Sequence, residues 1–274
     1  MTKQDDNKLP VWVQSRAEMI MFSTLRITIP GAAESGDSIG TGFLVTGVSS
    51  TDPEAEYIFL VSNRHVLTAN TKRLSVVVHT IDEARAVAVG KHREAVLEFT
   101  KIGCIGHPND EIDLACVNVS VLIREAPVFF TSLGLDVIAD FDNPFLVPGL
   151  DVFLVGYPQN RFDQAHNLPL FRKGSIASHP RFDYNDKPQI VIDAQVFPGS
   201  SGSPVFVELP DESARLLGVV SQTMIRHERL EIIPVADIAV QQVLGLGLVI
   251  KASEVKTLID HAVEVCDQSR SGSP

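Results

Sequence analysis

The chain has 274 residues, 45% of them hydrophobic and 21% charged, with a formal net charge of −11; this is the composition of a globular protein with enough material for a real core. The negative balance argues against nucleic acid, whose phosphates demand Lys and Arg, and against an anionic membrane surface. Three cysteines, Cys104, Cys116 and Cys266, show no CxxC spacing, so a reducing compartment is expected.

The N-terminal stretch MTKQDDNKLP has neither the basic start nor the apolar stretch of a signal peptide. No apolar run reaches the roughly 18 residues of a membrane span, and a cytoplasmic location is expected. A short helix is predicted over Val13 to Phe22. Then come β-rich runs broken by turn residues: TLRITIP, GTGFLVTG, YIFLVSN, RLSVVVHT, EAVLEFT and DLACVNVS. Residues 131–150 interrupt the series with Pro, Gly and Asp. A second series follows: DVFLVGY, LFRKGSIAS, QIVIDAQVF, SPVFVEL, ARLLGVVSQ and GLGLVIK. Near the end Val255, Leu258, Ile259, Ala262 and Cys266 fall on one helical face, with Ser253 as N-cap. The expected fold is all-β: two six-stranded antiparallel barrels and a C-terminal helix. The expected division is an N-terminal extension (1–21), a first barrel (22–130), a linker (131–150), a second barrel (151–251), the helix (252–266) and a disordered tail (267–274).

The stretch FPGSSGSPVF, Phe197 to Phe206, contains SGSP, which recurs at Ser271 to Pro274. Only the first copy lies between two apolar runs. A tight Gly- and Pro-rich turn between buried strands is rigid, as a reacting hydroxyl requires. A serine hydroxyl needs a base, the base needs an orienting acid, and the developing oxyanion needs backbone donors. Gly199 can turn its N–H toward the same point as the N–H of Ser201, and Gly202 would let a substrate carbonyl approach. Of the eight histidines, His65 stands apart, because it follows the buried run YIFLV in a turn opened by Ser62 and Asn63. Asp113 directly precedes Leu114 to Val117, whereas Asp110 and Glu111 lie in a Pro-Asn turn. The order His65, Asp113, Ser201 puts base and acid in the first barrel and nucleophile in the second. A metal site from His65, His107 and Asp110 lacks ligand spacing; no metal and no cofactor is expected.

These motifs resemble those of the trypsin-like serine peptidases with the chymotrypsin fold. GTGFLV resembles the early G-S-G-F strand, SNRHVL the T-N-x-H-V turn, DLA the D-x-A segment and PGSSGSP the G-N-S-G-G-P loop. GLGLVIKASEVKTLID is similar to the closing strand and helix of the HtrA-type peptidase domain, here without residues for a PDZ domain. The resemblance spans roughly residues 20–266. It implies a serine endopeptidase acting through an acyl-enzyme, with His65, Asp113 and Ser201 as catalytic residues and Gly199 and Ser201 as the oxyanion hole. It places the substrate pocket at Gln195, Val219, Val220, Ser221 and Gln222. The family's Asp or Asn before the nucleophile is Ser200, no I-V-G-G start is visible, and the second Gly of the loop is Ser203, next to the pocket. Gln195, six residues before Ser201, is uncharged, so an uncharged, small or medium side chain is expected at P1. The expected partners are a protein or peptide substrate and, for a latent enzyme, an activating protein; the segment 156–171 is a candidate regulatory loop. The alternative is a catalytically silent module of the same fold that binds peptides.

Overall fold

The computed structural model describes residues 13–33, 36–68, 73–98, 103–125, 127–211, 213–232 and 236–271. Helix α1 (Arg16–Ser23) begins with a capping box: the Ser15 hydroxyl accepts from the Glu18 N–H and the Glu18 carboxylate accepts from the Ser15 N–H. The first half then builds β1 (Thr24–Ala33), β2 (Gly36–Val48), β3 (Glu56–Ser62), the single turn α2 (Arg64–Leu67), β4 (Arg73–Ile81), β5 (Val87–Glu98), β6 (Cys104–Gly106), β7 (Ala115–Asn118), α3 (Ser120–Glu125) and β8 (Val128–Phe129). The second half builds β9 (Asp151–Gly156), β10 (Leu170–Ile176), β11 (Gln189–Asp193), β12 (Pro204–Glu208), β13 (Ala214–Ile232), β14 (Ala236–Lys251) and α4 (Ala252–Ser271).

The protein is all-β with a chymotrypsin-like plan. Its second half closes into a six-stranded barrel, β10-β11-β14-β13-β12-β9. The first half departs from the expected six-stranded barrel. It is an eight-stranded sheet in the order β5-β4-β1-β2-β3-β7-β6, with β8 added against β4. The short strands β6 and β8 account for the excess; each is too brief to leave an apolar alternation.

Strands buried on both faces explain why runs such as YIFLV read as continuously apolar. Leu60 points into the core of the first sheet, while its neighbours Phe59 and Val61 point into a second core between the two halves. In β12, Val205 and Val207 fill the barrel and Phe206 joins the same interlobe core. That shared core takes residues from both halves and from α4, whose Val255, Leu258, Ile259 and Ala262 are fully buried. Residues 131–150 lie along both halves: the Thr46 N–H donates to Leu133 O and the Ala139 N–H to Leu216 O.

Two expectations about the C-terminus are corrected. Ser253 lies inside α4, which begins at Ala252, so it is not the N-cap. Helix α4 also continues to Ser271, through residues expected to be disordered. The anchor is Asp267, buried, whose carboxylate accepts from the Ser49 and Ser50 hydroxyls, the Ser50 N–H and the Tyr57 hydroxyl. These bonds, led by that of Ser49, hold its pKa down from 3.8 to about 2. A depressed folded pKa contributes stability above the ordinary carboxylate value, and that contribution is lost as pH falls toward about 2. Asp267→Asn should therefore lower the urea midpoint at pH 7, with the gap to wild type narrowing between about pH 4 and pH 2; urea melts across that range test this.

Candidate active site

His65 sits in α2, the one helical turn after β3. The turn is held by Asp113 from the loop before β7. The Asp113 carbonyl accepts from the Arg64 N–H and the Asn63 side-chain amide; its carboxylate accepts from the His65 N–H at 3.0 Å. The second carboxylate oxygen lies 2.6 Å from His65 Nδ1. A carboxylate only accepts, so Nδ1 carries a proton, and in the neutral ring this leaves Nε2 with the lone pair a base requires. Asp113 is fixed from behind by the buried side chains of Ile112 and Leu114.

The sequence reading missed Arg64 and Glu254. The Arg64 guanidinium donates to His107 O and to the carbonyl and carboxylate of Asp110. Buried His107 accepts from the Asn109 N–H through Nδ1 and turns Nε2 to Glu254 of α4, 3.3 Å away. His107 and Asp110 are thus tied into the scaffold of the 107–113 loop. Among the described residues no group of three or more His, Cys, Asp or Glu is placed to hold a metal.

Ser201 lies in the turn between β11 and β12, where most backbone polar groups are engaged. The carbonyls of Phe197 through Ser201 accept, in order, from Ser200 N–H, Gln159 N–H, Thr41 Oγ1, Ser203 N–H and Thr41 N–H. Phe197 N–H donates to Ser200 Oγ and Gly202 N–H to Val220 O. The two N–H groups left without a partner among the described residues are those of Gly199 and Ser201. In a trans peptide the N–H and C=O point to opposite sides. Tying the Pro198 and Ser200 carbonyls into the protein therefore turns both free N–H groups the other way. Gly199 has φ +88°, which makes Phe197–Ser200 a type II turn with Pro198 and Gly199 at its centre. A Cβ there would stand 2.8 Å from Tyr157 O.

The structure joins His65 to Asp113, but the Ser201 hydroxyl points elsewhere, toward Ser221 O at 3.4 Å. Gly202 also meets a local constraint: with φ +86°, a Cβ on it would strike Thr41 O and Ser62 Oγ. Ser203 is buried, with its hydroxyl against Gly156.

The pocket expectation needs a larger correction. Val219 and Val220 are fully buried, one in the interlobe core and one in the barrel. Gln195 is exposed, and its carbonyl is held by Arg172. A register shift in β13 between Val220 and Gln222 re-aims the strand, and Ser221 and Gln222 do line a cleft, of 580 Å³. Asp113, Ile112, Asn109 and Gln189 complete much of its wall.

The description "trypsin-like peptidase domain" matches residues 40–219. No curated protein matches the chain. Among solved structures, the active form of the Rv3671c protease from M. tuberculosis is similar, with 18% identity and a TM-score of 0.48 over 95% of this chain and 93% of that one.

Thr41 connects the halves at this site. Fully buried in β2, it bonds the carbonyls of Gly199 and Ser201, and its hydroxyl accepts from the Tyr157 N–H. Thr41→Val keeps the shape but strands two buried backbone groups, and should cost about 2 kcal/mol in urea denaturation at pH 7.

Proposed function

The chain belongs to the trypsin-like peptidase family, and from that premise we propose that it is a serine endopeptidase acting on protein or peptide substrates. The observation that carries the proposal is the amide accounting at the Ser201 turn. Five successive carbonyls are engaged, and among the described residues the N–H groups of Gly199 and Ser201 have no partner and face a ligand. Donors fixed in advance toward developing charge cost no reorganisation during reaction.

In this reading His65 Nε2 removes the Ser201 hydroxyl proton as Oγ attacks the scissile carbonyl carbon. The resulting oxyanion takes the N–H groups of Gly199 and Ser201. Collapse expels the amine, which leaves with the proton from His65, and gives the acyl-enzyme. Water, deprotonated by His65, then attacks the acyl carbon, and collapse breaks the bond to Ser201 Oγ, which takes the proton back from His65 as the acid leaves. Asp113 keeps the imidazole in its Nδ1–H tautomer throughout. The cleft lined by Ile112, Ser221 and Gln222 adjoins Asp113, and Ser221 receives the Ser201 hydroxyl, so the substrate chain lies there.

The hydroxyl bond to Ser221 O describes a resting state. Catalysis begins when Ser201 leaves that carbonyl for His65, a rearrangement that substrate or an activating protein partner supplies. The same bond is the one observation in favour of a silent peptide-binding module.

A fluorophosphonate probe should label the wild type on Ser201 and leave Ser201→Ala unlabelled, read by mass spectrometry. Asp113→Asn should lower kcat by about 10⁴-fold, the effect of the wrong tautomer. A folded wild type that resists labelling, alone and with added peptide, would favour the silent module.

A further inference from the structure

The turn that carries the free N–H groups is held from below by a strained segment of the 156–171 loop. The Gln159 N–H donates to Pro198 O at 2.7 Å. This bond fixes the rotation of the Pro198–Gly199 peptide, and with it the direction of the Gly199 N–H. Gln159 and Asn160 both have left-handed backbones, at φ 50° and 55°. That conformation is unfavourable for residues with a Cβ, less so for Asn than for Gln. Something must hold it.

Arg26 of β1 is placed to do so. Its register partner across β1 and β2 is Thr41, so both side chains stand on one face of the first sheet. Half-buried Arg26 donates from Nη1 to Asn160 Oδ1 at 3.2 Å, and its guanidinium lies 4.6 Å from the centre of the Phe162 ring. Phe162 in turn packs edge-on to Tyr157, 5.6 Å between centres. The Tyr157 hydroxyl donates to Thr24 O, again on β1. One cation from the first half thus holds Asn160 directly and, through the Phe162 ring, bears on Tyr157 before the left-handed pair.

We propose that Arg26 is a positioning residue: through Asn160 and Phe162 it holds Gln159 left-handed, so that the Gln159 N–H keeps the Gly199 N–H aimed at the reacting carbonyl. This rests on the peptidase reading above. Without Arg26 the pair relaxes to negative φ and Gln159 N–H leaves Pro198 O. The central peptide of the turn is then free to flip from type II to type I, which points the Gly199 N–H away. A donor used only for the oxyanion acts on kcat and leaves KM alone.

The test uses the full chain, fluorophosphonate labelling and steady-state hydrolysis of p-nitrophenyl butyrate. Arg26→Met keeps the apolar packing on Phe162 and removes the hydrogen bond; kcat should fall about tenfold or more, bounded by the 10²–10³-fold loss of a complete donor. KM should stay within about twofold, and the labelling rate should fall with kcat. Arg26→Lys should recover part of the loss. Asn160→Ala, on an exposed side chain, should reproduce the Arg26→Met defect, and the double variant should add little, because both act through one path. If Arg26→Met does not fold by circular dichroism, Asn160→Ala decides by the same criteria. Folded variants with wild-type kcat, or with raised KM and unchanged kcat, overturn the role of Arg26 while leaving the peptidase reading intact. A wild type that neither labels nor turns over removes both.

Discussion

A buried hydroxyl residue links the two halves at the site through three hydrogen bonds. Thr41, on β2 of the first sheet, gives its N–H to Ser201 O and its Oγ1 to Gly199 O, and takes the Tyr157 N–H. The Ser201 turn is covalently part of the second barrel, yet two of its carbonyls, Gly199 and Ser201, are held from the first half. His65 and Asp113 belong to the first half as well, so the three candidate catalytic residues are referred to one rigid body. The interlobe core supplies the rigidity: Phe43, Val45 and Phe59 pack with Phe206, Val219 and Ile250, and α4 seals them. A peptide that must present an N–H to a developing charge is held by geometry of this kind, because a loose turn would satisfy its own amides.

Asp113 follows the same logic in a different medium. Its carboxylate meets a helix N-terminus and an imidazole at once, and the loop behind it is cross-linked by Arg64 and by the His107–Glu254 contact. The C-terminal helix therefore reaches the acid of the site through one buried histidine.

Much of this was legible in the sequence because local signals agreed with tertiary roles. Apolar runs bounded by Gly, Pro, Asn and Asp marked most strands. His65 was distinguished by the strand before it and Asp113 by the strand after it. What stayed hidden depends on partners far away in the chain. Asp267 looked like part of a polar tail because Ser49 and Tyr57 lie more than 200 residues earlier. Thr41 and Arg26 act on segments 116 to 160 residues away (157 − 41 and 201 − 41), which no spacing rule reports. The resemblance places the pocket partly on the strand after the nucleophile, and so on Val219 and Val220. The register shift that turns the strand after Val220 has no residue signature such as Gly or Pro at that point. The extension of β13 to Ile232 passes through Arg226, His227, Glu228 and Arg229, a run without apolar alternation.

The most direct test of the account is a crystal structure of the protein with a peptide boronate bound. The account predicts a covalent bond from Ser201 Oγ to boron, with one boronate oxygen at about 2.7–3.1 Å from both the Gly199 and Ser201 nitrogens and His65 Nε2 facing Ser201. A boronate seated in the cleft with Ser201 still on Ser221 O, or a turn whose Pro198 carbonyl faces the ligand in place of the Gly199 N–H, would contradict it.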